Sequence, residues 1–347
     1  MRLRALLVTM LIAGSTLLVA NPATAAPTCH GLTATIVGTS GADDLTGTAE
    51  RDVVSLGDGD DRFSGLGGND VVCAGTGDDE VYGGAGADRL YGDAGLDDLL
   101  PGAGDDHVLG GPGYDRVRYD DAAHGVRIEV ATGTATWSGK DTFDGIEDYL
   151  GSPHADLLLG TGGNDALNGG VGGDDRIYAY GGADQLDAQD GTVWAGPGDD
   201  NVMIGGFAVT HLGPGMDHGS SSTGSPTLYG DDGEDTFDAF ENSTPYIHGG
   251  AGDDAVLLTF RTDGAVIDLA AHTGDVRVWS VLQVYGSEFA DVIKGDGGHN
   301  EIFGRQGPDQ LYGRGGPDAI DGEEGRDRAD GGAGADSCRD VEVKISC

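Results

Sequence analysis

Aspartate returns at every ninth residue through the first third of this chain: Asp43, Asp52, Asp61, Asp70, Asp79, Asp88, Asp97, Asp106 and Asp115. A second set, Asp156 and Asp165, and a third, Asp291, Asp309, Asp318, Asp327 and Asp336, keep the interval, with Asn300 where the third set replaces Asp. Glycine-rich stretches precede them, and glycine lets the backbone adopt positive φ, so that carbonyls can turn inward toward one spot. Carboxylates and carbonyls together form an all-oxygen ligand set of flexible geometry. Such a set suits Ca²⁺ better than Mg²⁺ or a thiophilic metal. These aspartates are the candidate metal ligands, and multiple Ca²⁺ ions are the expected partners.

The elements that must position them follow from the repeat itself. The shared unit is Gly-Gly-x-Gly-x-Asp-x-U-x with U apolar, as in Gly83-Gly84-Ala85-Gly86-Ala87-Asp88-Arg89-Leu90-Tyr91. Nine units run without insertion from Gly38 to Arg118, and their eighth positions are Leu45, Val54, Phe63, Val72, Val81, Leu90, Leu99, Val108 and Val117. Six residues of turn leave three for a very short strand whose middle side chain faces inward. Two turns and two strands make a coil of eighteen residues, and coils stack through parallel strands. The predicted fold is therefore all-β: a parallel β-roll or β-helix solenoid carrying two β-rich insertions.

Stacking sets Asp43 over Asp61 and Asp52 over Asp70. At a strand spacing of about 4.8 Å, two such carboxylates repel by roughly 3 kcal/mol at an effective dielectric near 20. Repeated at each coil, this opposes folding. A divalent cation between turns reverses its sign, so the metal is expected to be part of the fold.

These units resemble the calcium-binding nonapeptide repeats of the RTX (repeats-in-toxin) family. The resemblance is tight over the two in-phase blocks, Gly38 to Arg118 and Gly286 to Arg339, and looser between them. It implies a parallel β-roll with Ca²⁺ held in the turns by the sixth-position Asp and by carbonyls of the glycine-rich loop. Glu50, where the fourth-position Gly belongs, and Asn300 depart from the pattern.

Residues 1–26 read as a secretory signal peptide, with Arg2 and Arg4 ahead of an apolar run and Ala23-Thr24-Ala25 as a cleavage site. The expected layout continues with a cap and first roll block over 27–118, an insertion over 119–150 and an irregular block over 151–257. A second insertion over 258–285 and a last block with its cap over 286–347 complete it. Cys29 to Val37 is expected to form an entry rung, with Thr33 to Val37 as its strand. Val126, Ile128 and Val130 alternate with Arg127 and Glu129 as in a half-buried strand. The two insertions repeat one another, since residues 110–134 align with 249–273 at a constant offset of 139. In the irregular block Asp175, Asp184, Asp200, Asp217 and Asp235 occupy recognisable sixth positions, while 188–194 and 239–248 read as rungs or loops without a metal turn. Val341, Val343 and Ile345 form a plausible closing strand.

The formal net charge is −41, and loss of the leader, which holds two Arg and no acid, leaves −43. Such a charge argues against nucleic acid or an anionic membrane as partner. No segment after the leader could span a bilayer. Four cysteines sit at the two ends of the repeats, and in a secreted chain their grouping favours Cys29–Cys73 and Cys338–Cys347. No His-Glu-x-x-His and no Gly-x-Ser-x-Gly occurs. The expectation is a secreted, extracellular, non-enzymatic calcium-binding module. The alternatives are a polysaccharide-acting enzyme with a site between Gly169 and His248, or an adhesin that binds a glycan or surface. Trp137 and Trp279, late in the insertions, are placed to pack them onto the roll, or less readily to stack on a sugar.

Overall fold

The structure is a computed structural model describing residues 26–347; the leader expected over 1–26 lies, apart from its last residue, outside the described residues. The dominant features are two long parallel sheets, to each of which every coil adds one strand. One has 16 strands and runs from Asp44–Thr46 to Ser337–Arg339. The other has 15, from Ile36–Val37 to Arg277–Trp279, and a 6-stranded sheet carries that flank to Val343–Ile345. Register advances by one coil per strand, pairing Phe63 with Val81 and Val72 with Leu90.

The eighth position does most of the filling of the narrow interior, because its neighbours in the strand point outward, and first-position Leu56, Ala74 and Leu212 add to it. Val54, Phe63, Val72, Val81, Leu90, Leu99, Val108 and Val117 are all fully buried and join one continuous core with their counterparts in the later blocks. Leu45, in the end coil, is only half-buried. The core is one side chain deep on each flank, so its apolar area per residue is small.

Each insertion widens one flank. In the first, Lys140–Asp144 pairs in parallel with His107–Leu109 and is followed by antiparallel Thr134–Thr136 and Arg127–Glu129, which in turn pairs in parallel with Leu157–Leu159. The opposite flank gains one strand over the same interval, Asp148–Leu150. Val126 and Ile128 are buried, and Arg127 and Glu129 form a surface ion pair, as the alternation predicts. The second insertion repeats the design: Val266–Asp268 pairs in parallel with Val292–Lys294, and Ala265, Ile267 and Leu269 are buried.

The N-terminal end differs from the expected single rung. Thr28–Cys29 and Leu32–Thr33 form an antiparallel hairpin, and only Ile36–Val37 enters the sheet. A disulfide joins Cys29 to Cys73 and seats Cys29 against Val53 and Val71 on the outer face of the sheet. Small secreted folds with thin cores commonly use such links. A second disulfide joins Cys338 to Cys347, and the closing strand Val343–Ile345 pairs with Arg328–Asp330. No helix among the described residues is long and apolar enough to cross a membrane.

Candidate metal centre

Each sixth-position Asp stands where a turn delivers the chain into a strand. Turns alternate between two edges of the solenoid, so the aspartates form two columns. Along one edge the backbone N–H of Asp43 donates to Oδ1 of Asp61 at 2.8 Å, Asp61 to Asp79 at 2.7 Å, and Asp79 to Asp97 and Asp97 to Asp115 at 3.0 Å. Along the other, Asp52, Asp70 and Asp88 each donate to Oδ1 of the next member, Asp70, Asp88 and Asp106, at 2.8 Å. The sequence predicts carboxylates in register; it does not show that each is tied to the coil before it by a hydrogen bond.

That bond uses one oxygen of each carboxylate and leaves the other. The Oδ2 atoms of Asp61, Asp70, Asp79, Asp88, Asp97, Asp106 and Asp115 are buried with no hydrogen-bond partner, as are those of nine further aspartates in the later blocks. Buried polar atoms are rarely left unpaired, and sixteen on one atom type form a pattern that calls for a common counter-charge. The surroundings are oxygen-rich. A Cβ added to first-position Gly83 would lie 2.8 Å from Oδ2 of Asp88 and 2.5 Å from the carbonyl oxygen of Pro101 one coil on. At Gly92 the corresponding atoms are Oδ2 of Asp97 at 2.5 Å and the carbonyl oxygen of Gly110 at 2.7 Å. Carboxylate and carbonyl thus converge on a space that only glycine leaves open, and the donor set fits a hard cation.

Electrostatics agree. Burial, with like charge from the neighbouring aspartates, pushes the carboxyls of Asp88, Asp97 and Asp217 up to about 7, against the lowering effect of the backbone N–H each accepts. Asp79, Asp184 and Asp235 rise to about 6 for the same reasons. No three His, Cys, Asp or Glu side chains converge on one point among the described residues. That follows from the architecture, since each turn supplies one carboxylate and the remaining oxygens belong to the backbone.

The predicted candidates are strung out along the columns rather than gathered. Asp156 leads to Asp175, and Asp165 to Asp184, Asp200, Asp217, Asp235 and Asp254, with sequence steps of 16 to 19. In the last block Asp291 leads to Asp309 and Asp327, and Asn300 to Asp318 and Asp336. Asp254 is absent from the sequence-based candidates although the offset of 139 maps it onto Asp115. Three more acids have no periodic signal: Asp141 accepts from Asp106 N–H, Glu147 from Asp115 N–H and Glu342 from Asp327 N–H. Two come from the first insertion and one from the C-terminal end, and each finishes a column.

A family model of the RTX calcium-binding nonapeptide repeat matches residues 37–72, 74–99, 102–117, 141–173, 150–186, 170–192, 283–311 and 303–338, together more than half of the chain. The chain belongs to this family. No curated protein sequence matches it. As an RTX protein it carries repeats of the calcium-binding type over twelve of the sixteen turns in which the orphaned carboxylate oxygens lie; those of Asp200, Asp217, Asp235 and Asp254 fall outside the matched residues.

The middle of this RTX solenoid is two-sided. From Asp165 to Asp254 one edge keeps an unbroken Asp column. On the other edge, turns at 189–190, 205–208, 222–226 and 240–245 bear no column Asp and close through their own hydrogen bonds. Ser221 bonds Ser243 at 2.9 Å, Ser225 bonds Thr244 at 2.6 Å, and Phe207 N–H donates to Asp190 at 2.9 Å. One flank of this region carries an aromatic ladder: Tyr178 stacks on Trp194 at 4.4 Å, His211 on Tyr229 at 4.6 Å and Tyr229 on His248 at 4.7 Å. Trp279 is sandwiched between His248 and His272 at 4.5 and 4.7 Å, and Trp137 packs against the core. Their ring faces are engaged within the protein, which favours the packing role over sugar stacking.

Asp88→Asn separates the two jobs of a column residue, because an amide oxygen can still accept the Asp70 N–H while the charge is gone. In chelator the variant is expected to be more stable than wild type, and in Ca²⁺ less stable, by on the order of 1 kcal/mol each way. Urea denaturation in the two media checks it; shifts of the same sign would contradict the assignment of Asp88 to the metal.

Proposed function

We propose that this chain is a secreted calcium-dependent β-roll that acts outside the cell as a structural or binding module and not as an enzyme. The observation that carries this reading is the set of sixteen buried, unpartnered aspartate oxygens, twelve of them in turns that match the RTX repeat. Asp61, Asp70, Asp79, Asp88, Asp97, Asp106, Asp115, Asp309, Asp318 and Asp327 supply the free carboxylate oxygens, joined by Asp175, Asp184, Asp200, Asp217, Asp235 and Asp254, while Asp43, Asp52, Asp156, Asp165, Asp291 and Asp336 complete the columns. Bound Ca²⁺ would supply the positive charge that the columns lack. The chain's own contribution is to hold one carboxylate oxygen by a backbone N–H and to turn the other, with first-position carbonyls, toward a common space.

Two disulfides support an oxidising destination. Extracellular calcium modules commonly bind in the 10⁻⁴–10⁻³ M range, so weak sites would fill only after export. The test is a calcium titration of the leaderless chain followed by far-UV circular dichroism, with bound calcium counted by elemental analysis and Mg²⁺ as control. The expected result is a β signal that grows with several Ca²⁺ bound per chain and little response to Mg²⁺. A chain that binds no calcium would overturn the proposal.

A further inference from the structure

Six turns differ from the rest, and they are the six that begin a run of stacked aspartates. They start at Gly38, Gly47, Gly151, Gly160, Gly286 and Gly295, two at the head of each block. Their second positions are Thr39, Thr48, Ser152, Thr161, Ser287 and Asp296, none with positive φ. In each, the second-position N–H donates to the side chain at the sixth position of the same turn. The distances are 2.6 Å for Thr39 to Asp43, 2.7 Å for Thr48 to Asp52 and 2.6 Å for Ser152 to Asp156. They are 2.6 Å for Thr161 to Asp165, 2.7 Å for Ser287 to Asp291 and 2.9 Å for Asp296 to Asn300. A hydroxyl adds a second bond in all but the last, as from Thr48 Oγ1 to Oδ2 of Asp52 at 3.0 Å.

Every later turn that carries a column Asp has its second residue at positive φ, whatever its type: Gly84 at 100°, Leu66 at 66°, Tyr180 at 75°, Arg305 at 74°. L side chains are disfavoured in that region, so the fold imposes the conformation. In the first block this second residue pairs with its counterpart in the next coil, Gly57 with Gly75 and Gly84 with Gly102, instead of serving its own Asp. The orphaned Oδ2 atoms all belong to such later turns; those of Asp43, Asp52, Asp156, Asp165 and Asp291 are not among them.

We infer that the second position decides which turns accept Ca²⁺: the six heading turns are closed by protein donors alone, and binding through the outer carboxylate oxygen is confined to the turns stacked after them. This rests on the calcium-binding reading above. The donors place partial positive charge on the oxygen a cation would need, and a carboxylate that already accepts two or three hydrogen bonds has little to gain from a metal. Each block therefore opens on a pair of turns that need no calcium, and the metal-dependent coils are wound onto them.

Crystal structures of the full leaderless chain in Ca²⁺, wild type and two variants, test this with the calcium anomalous signal. In wild type, ions are expected within about 2.3–2.6 Å of Oδ2 in the later turns, and none on Oδ2 of Asp43, Asp52, Asp156, Asp165 or Asp291. Thr48→Gly removes the hydroxyl and permits positive φ, and an ion should appear on Asp52. Leu66→Ser offers the closing donor to Asp70, from which an ion should be lost. Ions on the outer oxygens of the five wild-type heading aspartates would overturn the inference while leaving calcium binding intact. Ions on the later turns that respond to neither variant would overturn the role of the second position. A wild-type chain with no ions anywhere would instead remove the underlying reading.

Discussion

Withdrawal of calcium is expected to unfold most of this protein: in chelator the β signal should fall sharply and the thermal midpoint drop by tens of degrees relative to millimolar Ca²⁺. The reason is the thinness of the core set against the density of buried charge. Each coil buries essentially one apolar side chain per flank, whereas the inner turns of a column hold carboxylates at most a few per cent exposed, as at Asp70, Asp88 and Asp115. Neighbours in a column repel by roughly 3 kcal/mol per contact before screening. A net folding free energy of about 5–15 kcal/mol cannot absorb that at sixteen positions. Thermal melts by circular dichroism in the two media measure the effect, and coincident melts would show that hydrogen bonds and packing alone hold the coils.

Acidity should act in opposite directions with and without the metal. Asp88, Asp97, Asp106, Asp175, Asp217 and Asp309 have folded-state values raised to about 7, with burial as the largest cause. In the unfolded chain they titrate near the usual carboxylate value of about 4. Between about 4 and about 7 the folded, metal-free chain therefore binds more protons than the unfolded one. Its stability is expected to fall as pH rises through that window and to level off above it. In Ca²⁺ the sign reverses, because protons and the cation compete for the same oxygens, and acidification should release calcium and lower stability. Denaturation midpoints measured at pH 5 and pH 8, in chelator and in calcium, give four values. Slopes of the same sign in both media would contradict the assignment of these aspartates to the metal.

Much of the fold is legible because the repeat fixes it. The period predicts strands of three residues; Val53–Asp58, Val71–Thr76, Glu80–Ala85, Arg89–Ala94 and Asp98–Ala103 instead run six, through the first half of the turn, because those turn residues also pair with the next coil, yet the eighth position stays inward and Val54 through Val117 occupy it. Insertions were readable where alternation persists, as at Val126 and Ile128. What could not be read is contact that periodicity does not encode. Asp141, Glu147 and Glu342 finish their columns from segments of different length and composition. The entry hairpin is shaped by Cys29 reaching across the sheet to Cys73, a tertiary constraint that the strand-forming residues Thr33 to Val37 do not reveal. The bond from one Asp N–H to the next Asp Oδ1 depends on how closely coils approach, which no single unit records.

The unequal edges of the middle region bear on how the molecule moves. Between Asp165 and Asp254 one edge is lined with carboxylates, while the other is fastened by Ser221–Ser243, Ser225–Thr244 and the Asp190 turn. Loss of cations would let the first edge spread while the second stays shut. As calcium falls, the region would first work as a spine with one free margin: the hydroxyl-fastened side is the binding and the aspartate side the pages, so that the middle of the solenoid opens along a defined line before its strands come apart.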